Sequence, residues 1–125
     1  MADPRHLFGA KAEDAAAGWL EACGWTVLAR RYRSAGGGEV DLIMLDPRRT
    51  IVGVEVRARG SRRAGSPEET VDARRAHRIG RSLAAFARDS TVPHIGLRVD
   101  LVAVAPIPGG APCHVRLRRI PDIGA

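Results

Sequence analysis

Acidic side chains lie inside two short apolar segments, and their placement limits the folds that this chain can adopt. Glu39 and Asp41 stand in the segment 38–44, and Glu55 stands in the segment 51–59, among valine, leucine and isoleucine. Such apolar residues are typical of buried β-strands. An isolated buried carboxylate costs several kcal/mol unless an ion pair or a metal compensates its charge. The fold must therefore bring a partner to these acids.

Strand periodicity gives each of the two segments a polar face. Side chains alternate between the faces of a strand, so Glu39 and Asp41 are predicted to share one face. The opposite face of that segment would carry Val40, Leu42 and Met44. In the second segment Glu55 and Arg57 are predicted to share a face. A hairpin between the two segments would bring these polar faces side by side.

The hydrophobic pattern of the whole chain predicts an α/β order of elements. The predicted elements are a helix at 4–23, a meander of strands at 25–32, 39–45 and 51–59, a helix from about 66 to 89, and strands at 95–105 and 113–120. Gly24 is expected to end the first helix, and residues 46–49 to form a turn. The order αβββαββ indicates an α/β fold of two or three layers with a mixed sheet. The 125 residues suffice for one domain, 1–125.

Carboxylates that converge on one point repel each other, and an arginine or a divalent cation relieves that repulsion. Oxygen ligands select a hard metal, so Asp41 and Glu55 predict a site for Mg²⁺ or Mn²⁺. Such an ion lowers the pKa of bound water and neutralises charge that develops on a phosphodiester. Arg57 would stabilise that charge as a cation. The pattern leaves one alternative open, in which Glu39 or Asp41 pairs with Arg57 or Arg59 across the hairpin.

Four motifs along the chain match a known pattern. They are Gly9-x-x-Ala12-Glu13, Gly38-Glu39-Val40-Asp41-Leu42-Ile43, Val54-Glu55-Val56-Arg57-x-Arg59 and Val99-Asp100-Leu101-Val102. Together they resemble the YraN family of uncharacterised bacterial proteins, over residues 8–104. That family is similar to the Holliday-junction resolvases and to the PD-(D/E)xK nuclease superfamily. The resemblance implies a restriction-endonuclease-like core, a central mixed sheet flanked by helices and a metal site. By analogy with the resolvases, it also implies branched DNA as a substrate and a homodimer.

The resemblance gives a role to each matching acid. Asp41 would be the metal-binding aspartate, Glu55 the second acid, and Glu13 the acid of the first helix that approaches the same metal. Glu39 and Arg75 fit supporting positions of the family pattern. The implied metal ligands are thus Glu13, Asp41 and Glu55.

Arg57 stands where the nuclease motif has a lysine. Lysine can lose its proton in a suitable site, whereas arginine keeps its proton at neutral pH. The sequence therefore leaves two functions open: a metal-dependent endonuclease that hydrolyses DNA, and a nucleic-acid-binding module of the same fold without turnover. A third interpretation is a protein that associates with itself through a sheet edge.

Positive charge predicts a polyanionic partner. The chain has 20 Lys and Arg residues against 14 Asp and Glu, a net charge of +6, and Lys11 is its only lysine. The planar guanidinium binds phosphate through two hydrogen bonds, which favours nucleic acid, and DNA in particular by the resemblance. The predicted contacts are three loop arginines and a ridge on the second helix: Arg59, Arg62, Arg63, Arg74, Arg78 and Arg81. The alternative is that these arginines form solvated surface.

Other sequence features exclude some classes of protein. No apolar run approaches the ~20 residues that a membrane-spanning helix requires, and the first residues lack the apolar segment of a signal peptide. Cys23 and Cys113 are far apart and lack the spacing of zinc ligands. We therefore expect a cytoplasmic protein without a membrane partner, a disulfide or a structural zinc site.

Overall fold

A mixed β-sheet with one helix on each face makes up the described part of the protein. The computed structural model describes residues 4–58, 73–106 and 115–123. The elements are α1 (Pro4–Ala22), β1 (Thr26–Tyr32), β2 (Val40–Leu45), β3 (Thr50–Ala58), α2 (Ala73–Asp89), β4 (Gly96–Pro106) and β5 (Val115–Ile120). The predicted order is confirmed. The predicted starts at residues 66 and 113 lie outside the described residues.

The five described strands lie in the order in which they occur along the chain. β1 pairs with β2, β2 with β3, and β4 with β5 in antiparallel fashion, whereas β3 and β4 are parallel. The parallel pair requires a crossover, and α2 lies in that connection. This mixed sheet with flanking helices is the restriction-endonuclease-like core that was predicted.

α1 packs on one face of the sheet through small side chains. Ala12, Ala16, Ala17 and Leu20 are buried there and recur at helical spacing. They contact the even-numbered aliphatic residues of the central strands, which are Leu42, Met44, Val52, Val54, Val56, Val102 and Val104. Because alanine carries a single methyl group, the helix axis can approach the sheet closely.

α2 packs on the opposite face. Ile79 and Leu83 are buried there against Val40, Ile43 and Ile51. Gly53 leaves room for this contact, because a Cβ at that position would lie 3.3–3.5 Å from Val40, Ile79 and Leu83. Neither described helix is long and apolar enough to cross a membrane.

Both predicted chain reversals are confirmed. Gly24 follows α1 with φ +92°, a conformation that glycine adopts without steric cost. At the hairpin between β2 and β3, the Asp46 carboxylate accepts hydrogen bonds from the backbone N–H groups of Arg48 at 2.9 Å and Thr50 at 2.8 Å. This side chain therefore closes the turn, as aspartate commonly does.

One prediction about the faces of β2 is wrong. Val40 contacts the α2 side of the sheet, whereas Leu42 and Met44 contact the α1 side. Strict alternation would place all three together. The physical reason is that the pairing of β2 with β3 ends at Leu42 and Val54, so the start of β2 separates from its neighbour.

Candidate functional site

Asp41 lies where β2 separates from β3. Its Oδ2 accepts a hydrogen bond of 2.8 Å from the backbone N–H of Val56. The last registered pair of the two strands is Leu42 and Val54, so Asp41 lies one residue and Val56 two residues beyond it. A side-chain oxygen thus takes the place of a backbone carbonyl in the ladder. This bond fixes the carboxylate at the fork between two buried strands.

The surroundings of Asp41 disfavour its charged form. Burial raises the pKa of Asp41 from 3.8 to about 7, and the negative charge of Glu55 adds to the rise, with a smaller contribution from Glu13. The Val56 hydrogen bond and the charge of Arg57 act in the opposite direction. A carboxyl group with this pKa changes its charge near neutral pH, which is typical of functional sites.

Glu55 is fully buried and carries two arginine partners on the same oxygen. Arg57 Nη1 and Arg75 Nη2 both lie 2.8 Å from Glu55 Oε1. Arg57 comes from the same strand, and Arg75 comes from the first turn of α2. The other oxygen, Oε2, is buried and accepts no hydrogen bond from any residue that the structure describes. A buried oxygen without a donor is costly, so this atom has an unused capacity to bind a cation.

Asp100 is equally buried but has no such capacity. Its Oδ1 accepts from Arg98 Nε at 2.8 Å and from the Asp122 backbone N–H at 2.9 Å. Its Oδ2 accepts from Arg98 Nη2 at 3.1 Å and Arg119 Nη1 at 2.9 Å. The guanidinium groups of both arginines also lie near the Trp25 ring. Asp100 is therefore a structural acid with satisfied oxygens, and sequence alone did not separate it from Glu55.

The two other predicted acids each form an ion pair with an arginine in or near β1. Glu39 precedes β2, is exposed, and pairs with Arg33 at 3.7 Å. Glu13 of α1 pairs with Arg31 at 3.3 Å. Within the described residues, no group of three or more histidine, cysteine or acidic side chains is arranged to hold a metal. The structure therefore brings Asp41 together with Glu55, while Glu13 as a third ligand stays a prediction.

For Arg57, the structure does not show the pairing alternative from the sequence. Arg57 forms its ion pair with Glu55 of its own strand rather than with Glu39 or Asp41 across the hairpin. Arg59, together with Arg62 and Arg63, lies outside the described residues.

A polar cavity of about 340 Å³ opens beside Asp41, and we call it the proximal cavity. Its lining residues come from the segment before β2, from β2 and from α2: Arg33, Gly37, Gly38, Glu39, Asp41, Arg75, Arg78 and Ile79. Three of these are arginines, so the cavity combines two acids with a cationic rim. Arg74 and Arg78, predicted to bind nucleic acid, are both exposed on α2.

Ser82 is a residue that sequence reasoning missed. It is fully buried on α2, and its hydroxyl donates a 2.6 Å hydrogen bond to the carbonyl of Gly38. The same hydroxyl lies 3.2 Å from Ser34 Oγ. A serine within the apolar stripe of a helix was the available signal, since a buried hydroxyl needs a partner. These bonds fix the segment that leads into Asp41 against the helix that carries Arg75.

Comparisons with known proteins place most of the chain in one family. The model of an uncharacterised protein family, UPF0102, matches residues 12–104. A UPF0102 protein of Bifidobacterium longum subsp. infantis is 38% identical over 99 residues, which cover 78% of this chain and 79% of that protein. A UPF0102 protein of Anaeromyxobacter dehalogenans is 42% identical over 106 residues, covering 82% and 75%. One of Pseudarthrobacter chlorophenolicus is 33% identical over 118 residues, covering 94% and 88%. The matched region contains both acids of the centre and both arginines that hold Glu55.

Proposed function

This chain belongs to the uncharacterised protein family UPF0102, the YraN family that its motifs predicted, and we propose that it is a metal-dependent endonuclease of the cytoplasm that hydrolyses phosphodiester bonds in DNA. One observation carries the proposal. Among the described residues, the fully buried Glu55 keeps one oxygen without a hydrogen-bond donor, and burial together with the charge of Glu55 raises the pKa of Asp41 beside it. Two acids that destabilise each other in this way are better explained by a shared cation than by stability alone.

The donor set fits Mg²⁺ or Mn²⁺. Both ions prefer oxygen ligands, and Mg²⁺ commonly binds through one or two carboxylates together with substrate phosphate oxygens. The carboxylate of Asp41 and the free Oε2 of Glu55 would hold the ion, with Glu13 as a further candidate. When bound, the ion would polarise the scissile phosphate and lower the pKa of a bound water.

The arginines of the centre would act as fixed cations. Arg57 and Arg75 would hold the Glu55 carboxylate in one orientation through ion pairs of 2.8 Å. Arg75 and Arg78 also line the proximal cavity, where they would bind the phosphate and stabilise charge in the transition state. Arg57 occupies the lysine position of the nuclease motif but cannot serve as a general base.

Calorimetric titration with Mg²⁺ and Mn²⁺ tests the metal site. We expect the wild type to bind metal, and Asp41→Ala and Glu55→Gln each to lose most of that binding. Asp14→Asn is the matched control, because Asp14 is an exposed acid of α1 whose partner is Arg30. Equal metal binding by the wild type and Asp41→Ala would contradict the proposed ligands.

Cleavage assays then test the activity. A four-way DNA junction and a linear duplex of matching sequence are incubated with each protein in the presence of metal. We expect the wild type and Asp14→Asn to cut the junction, and Asp41→Ala to be inactive. Gel filtration of the wild type with and without the junction would test the homodimer that the analogy with resolvases implies.

A catalytically inactive nucleic-acid-binding module is the second candidate function. The specific observation in its favour is that the two cations contacting Glu55 are both arginines, so neither can take a proton from water at neutral pH. Metal binding and DNA binding without cleavage of either substrate would favour this candidate over the first.

A further inference from the structure

α2 presents a stripe of arginines that extends well beyond the proximal cavity. Arg74, Arg78, Arg81 and Arg88 are all exposed. Their spacing of four, three and seven residues places them on one face of the helix. The stripe covers 14 residue steps, or about 21 Å at ~1.5 Å per residue. Arg78 in its first half lines the proximal cavity. Arg81 and Arg88 in its second half do not line that cavity.

Within the described residues these four arginines have no acidic partner, which distinguishes them from the arginines near β1. Arg30, Arg31 and Arg33 on the β1 side each pair with an acid. No ion pair within the described residues involves Arg74, Arg78, Arg81 or Arg88. A row of unpaired like charges repels itself, and a row of phosphates relieves that repulsion.

A second cavity, of about 530 Å³, lies along the far half of the stripe, and we call it the distal cavity. Arg81 and Arg88 supply its cations, and Tyr32, Ala84 and Ala85 supply apolar surface. The ring of Tyr32 is held edge-on against Phe86, at 5.3 Å between centroids. Asp89 also lines the cavity, so that the two arginines and this acid give it a net charge of +1. Apolar surface flanked by two arginines suits a nucleotide, whose base is flat and whose phosphate is anionic.

The segment 34–38 lines both cavities, with Gly37 and Gly38 in the proximal one and Ser34 and Ala35 in the distal one, and we call this segment the glycine ridge. The backbone N–H of Gly38 donates to the carbonyl of Arg78 at 3.1 Å, so the segment 34–38 crosses α2 at this point. Gly36 has φ +74°, and a Cβ there would lie 3.7 Å from the Arg81 guanidinium. A Cβ at Gly37 or Gly38 would meet Ser82 or Arg78 of α2, so the absence of these side chains lets the segment lie close against the helix. Arg81 stands beside the crossing.

We propose that a DNA strand leaves the proximal cavity over the glycine ridge, and that the distal cavity binds one unpaired nucleotide of that strand. The phosphate of this nucleotide would contact Arg81 and Arg88, and its base would lie against Tyr32. This inference rests on the proposed function for the identity of the polymer. The preferred substrate would carry single-stranded DNA next to the cleavage position, because a cavity of about 530 Å³ admits one nucleotide but not a stacked base pair.

Fluorescence anisotropy tests the distal cavity without any cleavage. A labelled single strand of about 20 nucleotides and a duplex of the same length are titrated in EDTA over a range of NaCl concentrations. We expect the double variant Arg81→Gln/Arg88→Gln to bind the single strand about tenfold more weakly. We also expect its salt dependence to fall by about 0.7 in log–log slope, since the two arginines share one phosphate and each phosphate contact on a single strand contributes ~0.7.

The matched control is Arg30→Gln/Arg48→Gln, which removes the same charge from two exposed positions away from α2. It should bind the single strand like the wild type. Equal losses in both double variants would overturn the proposal, because net charge would then explain the binding. An equal loss of affinity for the duplex and for the single strand would overturn the inference that the distal cavity binds an unpaired nucleotide.

The proposed function and this inference can fail separately. A wild type that binds DNA but never cuts it would contradict the proposed function alone. Cleavage by Arg81→Gln/Arg88→Gln with unchanged DNA binding would contradict this inference alone.

Discussion

Asp41 is expected to make the folded protein less stable as the pH rises from about 4 to about 7. Its pKa is raised from 3.8 to about 7, because burial and the charge of Glu55 disfavour the carboxylate. Between these pH values the unfolded chain has lost the proton that the folded chain still holds. Unfolding then releases a proton, so rising pH favours the unfolded state. Above about pH 7 the penalty is complete and no longer grows.

The substitution Asp41→Asn removes this penalty while keeping an oxygen that can accept the Val56 hydrogen bond. A rise in the pKa from 3.8 to about 7 corresponds to about 4 kcal/mol at ~1.4 kcal/mol per pKa unit. Asp41 is only partly buried, so solvent screening reduces this figure. We expect Asp41→Asn to exceed the wild type by about 2 kcal/mol in free energy of unfolding at pH 8, and to match it at pH 4.

Urea denaturation at a series of pH values from 4 to 8, in EDTA, measures this difference. The control is again Asp14→Asn, which removes an exposed acid whose side chain is 73% accessible. An exposed ion pair contributes less than about 1 kcal/mol, so the control should stay within that range of the wild type at every pH. If Asp41→Asn gains no stability relative to the wild type between pH 4 and pH 8, Asp41 is ionised at an ordinary pKa and the interpretation of the centre is wrong.

Three other predictions follow from the same geometry. Asp100→Ala should lower the free energy of unfolding, measured by urea denaturation, by about 3–5 kcal/mol, because it leaves two arginines without the carboxylate that they share. Glu55→Gln should lower it by only about 1–2 kcal/mol, because Oε2 of Glu55 already has no donor among the described residues. Gly37→Ala should destabilise the protein by about 1–3 kcal/mol, since the new Cβ would collide with a serine of α2, while Gly18→Ala, in an open part of α1, should stabilise it by about 0.5–1 kcal/mol. Mg²⁺ should raise the thermal unfolding midpoint of the wild type at pH 8 but not that of Asp41→Asn, as scanning fluorimetry would show.

Most of the fold could be predicted because its signals are local. The two-residue period of the apolar segments gave β2 and β3 to within one residue, and the glycine after α1 and the aspartate of the β2–β3 turn marked two chain reversals. The face of Val40 could not be predicted in this way. It depends on the bond between Asp41 and the Val56 backbone, which ends the pairing of β2 with β3, and sequence periodicity contains no information about where a ladder ends.

The acids of the candidate site could be predicted from the sequence, but the residues that contact them could not. Glu55 and Asp100 occupy similar apolar contexts, each preceded by valine in a central strand. What separates them is the number of donors that reach each carboxylate, and the decisive ones come from Arg75, 20 residues from Glu55, and Arg119, 19 residues from Asp100. Such contacts arise only when α2 and β5 pack on the sheet. Buried acids can therefore be located from sequence, but satisfied and unsatisfied ones can be told apart only in three dimensions.

The same distinction applies to the positive charge. A net charge of +6 suggests a polyanionic partner but does not indicate where on the surface it binds. In the described structure the arginines near β1 are paired with acids, and those beside Trp25 neutralise Asp100, so neither group attracts a phosphate strongly. The α2 arginines that have no acidic partner among the described residues, Arg74, Arg78, Arg81 and Arg88, begin beside the proximal cavity and continue past the glycine ridge. Because attraction for nucleic acid depends on uncompensated charge, α2 should dominate the salt dependence of DNA binding, and substitutions of paired arginines should change it little.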